Sequence, residues 1–213
     1  MASILRAWTA VAAKRPLATI TVTNGVLGGL GDVLAQTIEA HNSKRRFNWD
    51  RSRTLRFIAW GSICAPIFHN WYLFLNRIYP ITTLTSKRNF TMSVTKRVVT
   101  DQLVYAPLGI AGFFMAMNLM EGGGWQSGKK RLKEYFAPTL KANYAVWPVV
   151  QMVNFGFVPV LYRVPFSSIV SVFWNAFISW ANAQSASKVE LPVEMPHLVV
   201  HPDEVSEKET MHR

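Results

Sequence analysis

Asparagine, glutamine and tryptophan side chains recur at helical spacing inside an apolar stretch in the second half of the chain. In NYAVWPVVQMVN, Asn143, Trp147, Gln151 and Asn154 follow one another at intervals of four, four and three residues. On an α-helix this spacing places all four on one face. A buried stripe of amides requires polar partners on other helices or water. The pattern therefore predicts either interhelical hydrogen bonding or a hydrated path, and both alternatives remain open.

Carboxylate and amide side chains also interrupt the other apolar stretches. Asp101 is the most costly, because a carboxylate within a membrane span is unfavourable unless it is paired, hydrated or neutral. Its spacing from Arg97 fits an ion pair along one helix, and its position equally fits the lining of a pore. The candidates for pore-lining or interhelical polar roles are Asp32, Gln36, His69, Asp101, Gln102, Asn143, Gln151, Asn154 and Asn175.

Residues for catalysis or metal binding form no recognisable pattern. No nucleophile signature such as Gly-x-Ser-x-Gly occurs, and His69 has no carboxylates or thiols at metal-ligand spacing. The single cysteine, Cys64, cannot form an intramolecular disulfide, so it is either a small core residue or a redox-active intermolecular link. We therefore expect no enzymatic activity, no metal and no cofactor.

The composition of the chain is typical of a membrane protein. Half of its 213 residues are hydrophobic and 16% are charged, whereas a soluble domain carries about 25% charged residues. Apolar segments are predicted to cross the bilayer over residues 17–38, 55–75, 98–120 and 139–161, and a further apolar helix is predicted over 166–183. We expect an all-α bundle of four to five transmembrane helices.

The two ends of the chain differ from this bundle. Residues 1–16 contain no acidic residue and place apolar side chains on one face, which predicts an amphipathic N-terminal helix suited to the membrane interface or to mitochondrial targeting. Residues 17–187 should form one membrane domain, because no linker divides them. Residues 188–213 are rich in acidic side chains and are expected to be a disordered tail.

Glycine and proline residues are expected to determine where helices approach closely and where they bend. Gly25 and Gly29 form a GxxxG motif, which permits close contact between helices. Pro107 and Pro148 should each bend a span, because proline removes one backbone hydrogen bond.

Aromatic and basic residues predict contacts with the membrane surface. Trp71 and Tyr72 suggest an aromatic belt at the interface. The net charge is +11, and basic loops such as residues 42–56 contribute to it. We expect these loops to touch anionic lipid, and since no nucleic-acid-binding motif accompanies them, direct contact with nucleic acid is not expected.

The same residues resemble the signature of a known family. The similar positions are Gly31, Asp32, Gln36, Pro66, His69, Trp71, Tyr72, Asp101, Gln102, Pro107, Asn143, Trp147, Pro148, Gln151, Asn154, Phe155, Val158, Pro159, Arg163, Trp174, Asn175 and Ser179. They resemble the Mpv-seventeen / peroxisomal membrane protein family from about residue 15 to about residue 183. The pattern departs at Tyr144 and in the C-terminal tail. The order of motifs around Asp101 looks most like the fungal stress-induced mitochondrial inner-membrane branch.

The resemblance implies a multispan protein of the mitochondrial inner membrane, with the peroxisomal membrane as the alternative. Some family members are poorly selective channels, and the fungal branch is associated with heat and ethanol tolerance, metabolite exchange and mitochondrial DNA maintenance. We expect a channel or transport-related protein for small metabolites of unidentified class, lined or gated by Asp32, Gln36, Asp101, Gln151 and Asn154. The alternative is a non-conducting scaffold of a larger complex. A homo-oligomer or larger membrane assembly is expected.

Overall fold

The computed structural model describes residues 2–43, 46–81 and 86–185, and this part of the chain is helical, without strands. The helices are α1 (Ala2–Lys14), α2 (Pro16–Asn42), α3 (Arg51–Ile78), α4 (Lys87–Thr100), α5 (Ala106–Met120), α6 (Trp125–Phe157) and α7 (Val160–Ser185). A π-helical turn (Asp101–Tyr105) joins α4 to α5. The predicted all-α membrane bundle is confirmed, and the predicted tail lies outside the described residues.

Local chemistry explains several helix ends. Pro16 occupies the start of α2, where its missing N–H costs no hydrogen bond. Asp50 caps α3, since its carboxylate accepts the backbone N–H of Arg53 at 2.8 Å. Gly122 turns the chain between α5 and α6 with a φ of 81°, a left-handed conformation that glycine adopts without strain.

Helix α2 packs along α3 on one side and α7 on the other. Backbones meet where glycines face each other: a β-carbon on Gly28 would lie 2.8 Å from the carbonyl oxygen of Phe57, and one on Gly61 would lie 2.7 Å from that of Asn24. Gly25 and Gly29 border the same crossing against Ser62 and Ile58. The predicted GxxxG contact therefore lies on this interface, although Gly28 and Gly61 make its closest backbone approach.

The helices form two packing units. Helices α1, α2, α3 and α7 form the first, and α4, the π turn and α5 pack against α6 to form the second. In the π turn the backbone N–H of Ala106 bonds to the carbonyl of Asp101, five residues earlier. The next residue is Pro107, which has no backbone N–H and so cannot donate an α-helical hydrogen bond. The widened turn lets the helix continue through this proline, and π turns of this kind recur at functional sites.

Helix α1 lies on α2 and contacts the start of α7. Trp8 Nε1 donates to Thr23 Oγ1 at 2.9 Å, and the Trp8 ring packs 5.5 Å from the Tyr162 ring. The N-terminal helix is thus a packed part of the bundle.

One predicted span boundary is wrong, and one predicted span is part of a longer helical segment. The fourth span, predicted over 139–161, ends at Phe157, because Val158 is extended before Pro159 and the chain starts a new helix at Val160. The third, predicted over 98–120, belongs to a helical segment that begins at Lys87, capped by Ser86.

The outside of the bundle is mostly apolar, and polar side chains are buried inside it beside an apolar core. Val22, Val26 and Leu30 project outward from α2, whereas Asn24 and Asp32 on the same helix are buried. Among the described helices, Pro16–Asn42 and the segment Lys87–Met120 combine the length and hydropathy needed for a membrane crossing. Helices α3, α6 and α7 have 28, 33 and 26 residues. At about 1.5 Å per residue, the length of each also exceeds a hydrocarbon thickness of about 30 Å. The total of four or five crossings stays a prediction.

Candidate functional site

A buried carboxylate is the centre of the candidate site. Asp101 begins the π turn and is 2% exposed. Its Oδ1 accepts a hydrogen bond from Trp71 Nε1 at 2.9 Å, and its Oδ2 accepts from Gln102 Nε2 and Gln151 Nε2, each at 2.9 Å. Three N–H donors from α3, the π turn and α6 therefore converge on one carboxylate.

Further amides and hydroxyls extend this arrangement. Gln102 Oε1 accepts from Asn143 Nδ2 at 2.9 Å, and Gln151 Oε1 accepts from Asn154 Nδ2 at 2.8 Å. Asn154 Nδ2 also donates to Ser167 Oγ at 3.0 Å. We refer to the connected set Trp71, Tyr72, Asp101, Gln102, Asn143, Gln151, Asn154 and Ser167 as the polar cluster. It brings together five of the predicted site residues, and it links α3, the π turn, α6 and α7.

Tyr72 connects the polar cluster to α7. It is 1% exposed, its hydroxyl lies 3.2 Å from Ser167 Oγ, and Gln151 Nε2 donates to it at 3.4 Å. The prediction that Trp71 and Tyr72 form an interface belt is therefore wrong. Their polar atoms find partners among buried side chains of the bundle rather than at the membrane surface.

A cavity adjoins the polar cluster inside the bundle. It has a volume of about 520 Å³ and is bordered by Tyr72, Asp101, Gln102, Asn143, Gln151 and Ser167 together with apolar and aromatic side chains. A second cavity of about 290 Å³ shares Trp60, Cys64 and Phe68 with the first and reaches Asn24 and Asn175. Of the described residues that line either cavity, Asp101 alone carries a formal charge.

Asp32 and Gln36 form a separate cluster away from both cavities. Asp32 Oδ1 lies 2.7 Å from Arg53 Nε, and its Oδ2 accepts from Gln36 Nε2 and Thr54 Oγ1, each at 2.7 Å. Arg53 also donates to both carboxylate oxygens of Glu39, at 3.0 and 3.1 Å. Of the two predicted roles, pore lining or interhelical bonding, Asp32 and Gln36 show the interhelical one, because their polar atoms join α2 to α3.

Arg53 itself departs from its predicted role. Its place in a basic loop suggested a lipid contact, but the side chain is 6% exposed and pairs with Asp32 and Glu39. The sequence contained a usable signal, since Asp32 and Glu39 are the acids of α2 and require a cation nearby if buried.

Arg97 does not pair with Asp101. Its Nη2 donates at 2.7 Å to both Asn76 Oδ1 and the carbonyl of Tyr79, and its Nη1 donates to the carbonyl of Phe155 at 3.4 Å. Arg163 donates to the carbonyls of Val158 and Phe155 at 3.0 and 3.4 Å. Both guanidinium groups thus satisfy carbonyls at the C-terminal ends of α3 and α6, where helix dipoles favour positive charge.

The remaining predicted residues occupy varied environments. His69 is buried, and its Nδ1 has no hydrogen-bond partner among the described residues. Cys64 is a buried free thiol on the wall of both cavities. Asn175 is half-buried beside the smaller cavity, and Pro148 lies within α6. Among the described residues, no three His, Cys, Asp or Glu side chains approach closely enough to hold a metal ion.

Sequence reasoning missed Asn24 and Ser167. Asn24 Nδ2 donates to the carbonyl of Gly61 at 2.8 Å, and its Oδ1 accepts from Ser168 Oγ, so it joins α2 to both α3 and α7. Its spacing of four residues before Gly28 was a usable signal for the helix contact. Ser167 had no comparable signal, because its partner on α6 lies across a helix break.

The fold and the site define an all-α membrane protein with a polar cluster and a cavity inside its helix bundle. The chain belongs to the Mpv17 / PMP22 family, whose model matches residues 118–179. It is 38% identical over 186 residues to protein sym1 of Schizosaccharomyces pombe, covering 81% of this chain and 87% of that one. It is 36% identical over 199 residues to protein SYM1 of Saccharomyces cerevisiae, covering 92% and 98% of the two chains.

The relatives place the chain in the fungal Sym1 branch of the family, as the motif order predicted. No solved structure matches it. The segment that the family model covers contains Asn143, Gln151 and Asn154, which are the α6 members of the polar cluster.

Proposed function

We propose that the protein is a channel or transport-related protein that passes small metabolites across the mitochondrial inner membrane. The observation that carries the proposal is the cavity of about 520 Å³ inside the bundle, with the Asp101 carboxylate on its wall. Interhelical hydrogen bonding alone requires no such space, because side chains normally pack to close voids. The polar side chains on its otherwise mostly apolar wall would provide partners for a solute that lipid cannot supply.

The packing of the helices also supports a transport role. One packing unit contains α1, α2, α3 and α7, and the other contains α4, the π turn, α5 and α6. The larger cavity lies between them, bordered by Tyr72 and Ser167 from the first unit and by Gln102 and Gln151 from the second. Small shifts of one unit against the other would change the width of the cavity.

The mitochondrial inner membrane is part of this proposal, with the peroxisomal membrane as the alternative. It is supported by family membership and by the basic, acid-free sequence of residues 1–16. A role in heat and ethanol tolerance and in mitochondrial DNA maintenance would follow from metabolite exchange rather than from contact with DNA.

Anionic lipid is the proposed membrane partner. Basic and tryptophan side chains meet at one end of the bundle: the Arg51 guanidinium lies 5.3 Å from the Trp49 ring, and Lys129 Nζ lies 5.4 Å from the Trp125 ring. Amphipathic tryptophans and exposed cations together are suited to a layer of negatively charged headgroups.

A non-conducting scaffold is the second candidate function. It is favoured by the polar cluster itself, in which the side chains of Asp101, Gln102, Gln151 and Asn154 bond to one another. A scaffold should co-purify with a partner protein or as a homo-oligomer in mild detergent. A particle whose native mass corresponds to a lone monomer would contradict it.

Planar-bilayer recording of the purified protein tests the channel directly. We expect discrete currents from the wild type and a changed conductance or ion selectivity in Asp101→Asn. Glu134→Gln is the matched control, because it makes the same carboxylate-to-amide change at an exposed residue outside both cavities. Silence from folded, inserted wild-type protein would overturn the proposal, and currents identical in Asp101→Asn would remove Asp101 from the path.

A further inference from the structure

The hydrogen-bond partners of the Asp101 carboxyl group are neutral N–H donors. Both oxygens already accept N–H groups: Oδ1 from Trp71, and Oδ2 from Gln102 and Gln151. Hydrogen bonds donated to a carboxylate favour its charged form. In the described part of the chain, no lysine, arginine or histidine forms an ion pair with Asp101.

The nearest cation along the helix does not compensate this charge. Arg97 lies four residues before Asp101, but its guanidinium group donates to Asn76, Tyr79 and Phe155. Among the described residues that line the cavity beside Asp101, none is a lysine, arginine or histidine. A carboxylate charge in a low-dielectric interior attracts a mobile cation strongly.

Aromatic rings form much of the remaining wall. The larger cavity is lined by Trp60, Phe68, Tyr72, Tyr105, Phe113 and Trp147. The rings pack on one another: Phe68 lies 5.1 Å from Tyr105 and 6.3 Å from Tyr72, and Trp60 lies 5.6 Å from Phe113. Ring faces attract cations through their quadrupole, and aromatic cages are the usual means of binding quaternary ammonium groups.

We propose that the larger cavity binds a small organic cation, an amine or a quaternary ammonium, between the Asp101 carboxylate and the surrounding aromatic rings. The volume of about 520 Å³ lies within the range of small-molecule sites. Thr139, Ser168 and Ser171 on the wall offer hydroxyls to a polar substituent of such a ligand. Phosphates, nucleotides and dicarboxylates are disfavoured, because the described residues of the lining include no cation to meet their charge.

This inference deepens the transport function proposed above and rests on it only for the claim that the bound cation is also the solute carried. Binding and flux can be measured separately. Ammonium binding without flux would leave the site in place and contradict the transport function. Flux without ammonium binding would leave the transport function and overturn the site.

The binding test compares choline with 3,3-dimethylbutan-1-ol, its uncharged isostere, on full-length protein in nanodiscs. Tryptophan fluorescence is the readout, because Trp60 and Trp147 line the cavity. We expect saturable binding of choline. The affinity for the neutral isostere should be lower roughly tenfold or more, and butyrate should not bind. Equal responses to choline and its isostere, or displacement of choline by equimolar K⁺, would overturn the proposal.

Two variants locate the ligand. Asp101→Asn should weaken choline binding roughly tenfold or more, with Glu134→Gln as the control that leaves it unchanged. Phe68→Leu keeps the carboxylate and removes one ring face, so a roughly threefold or greater loss is expected even if Asp101→Asn fails to fold. Phe90→Leu is the matched ring control, since Phe90 packs on Phe157 away from the cavity. Wild-type affinity in folded Phe68→Leu would contradict the aromatic site.

Discussion

At the scale of single residues, the buried ionisable side chains of this protein have three different kinds of partner. Asp32 is paired with Arg53 and hydrogen-bonded by Gln36 and Thr54. Asp101 receives three neutral N–H donors and no cation. Arg97 is surrounded by neutral carbonyl and amide oxygens. The pairing of Asp32 stabilises the fold, and the arrangement around Asp101 leaves its carboxylate available to a ligand. Arg97 donates hydrogen bonds to carbonyl groups at helix ends.

The Asp32–Arg53 pair leads to a prediction about stability. Arg53→Met should lower the free energy of unfolding by about 3–5 kcal/mol, because it leaves the buried Asp32 carboxylate without its cation. The measurement is thermal or denaturant unfolding of the purified protein in one detergent.

Two further variants test that explanation. The double variant Asp32→Asn/Arg53→Met should recover part of the loss, because the uncompensated charge is gone. Arg51→Met, at an exposed position two residues earlier, should change stability little. Equal losses in the Arg51 and Arg53 variants would show that the buried pair has no special role.

At the scale of elements, the glycines that meet the backbone of a neighbouring helix most closely lie between α2 and α3. Glycines bring α2 and α3 together, so the carbonyl of Asn24 lies where any side chain on Gly61 would have to fit. Gly109 in α5 has room, because a β-carbon there would meet the Tyr105 ring at 3.7 Å, which is ordinary contact. Glycine-to-alanine substitutions should therefore have opposite effects on stability at Gly61 in α3 and at Gly109 in α5.

Gly61→Ala should destabilise the protein by about 1–3 kcal/mol, because the added methyl group meets rigid backbone and forces α2 and α3 apart. Gly109→Ala should be neutral or stabilise by up to about 1 kcal/mol, since alanine favours the helix and finds space. Unfolding of both variants in the same detergent provides the comparison. A Gly61→Ala protein as stable as Gly109→Ala would show that the two helices are not in close contact.

At the scale of the whole molecule, the two ends of the bundle carry different chemistry. One end combines Trp49 and Trp125 with exposed basic side chains, and Glu121 joins Arg56 from α3 to Arg131 from α6 there. The opposite end contains the buried arginines that cap α3 and α6, and α1 packs beside the start of α7. A headgroup-binding surface is therefore expected at the first end.

Anionic phospholipid should raise the thermal midpoint of the protein in mixed micelles more than zwitterionic phospholipid does. The difference should shrink between about 0.1 M and 1 M salt, as the screening length falls from about 10 Å to about 3 Å. Lys129→Gln/Lys130→Gln should reduce this difference, and Lys87→Gln/Arg88→Gln at the opposite end is the control. An effect equal in both double variants would contradict a lipid site at the tryptophan-bearing end.

Composition and residue spacing were enough to predict the helical membrane class, the family, most helices and the side chains that would be buried and polar. Those properties follow from composition, from helical spacing and from the cost of polar groups in lipid, all of which are local. Asp101, Gln102, Asn143, Gln151 and Asn154 were recognisable for this reason. The break at Pro159 was also encoded locally, and was missed because apolar residues continue on both sides of it.

Which polar residues meet one another depends on how the helices pack. Asp101 could pair with Arg97 along its own helix, but Trp71 and Gln151 reach it from α3 and α6, while Arg97 turns to the carbonyls of neighbouring helices. Asp32 resembled Asp101 as a buried acid, yet its partner Arg53 lies on the next helix and removes it from the cavity. Partner choice depends on which faces pack together, and that is a non-local property that spacing along one helix does not contain.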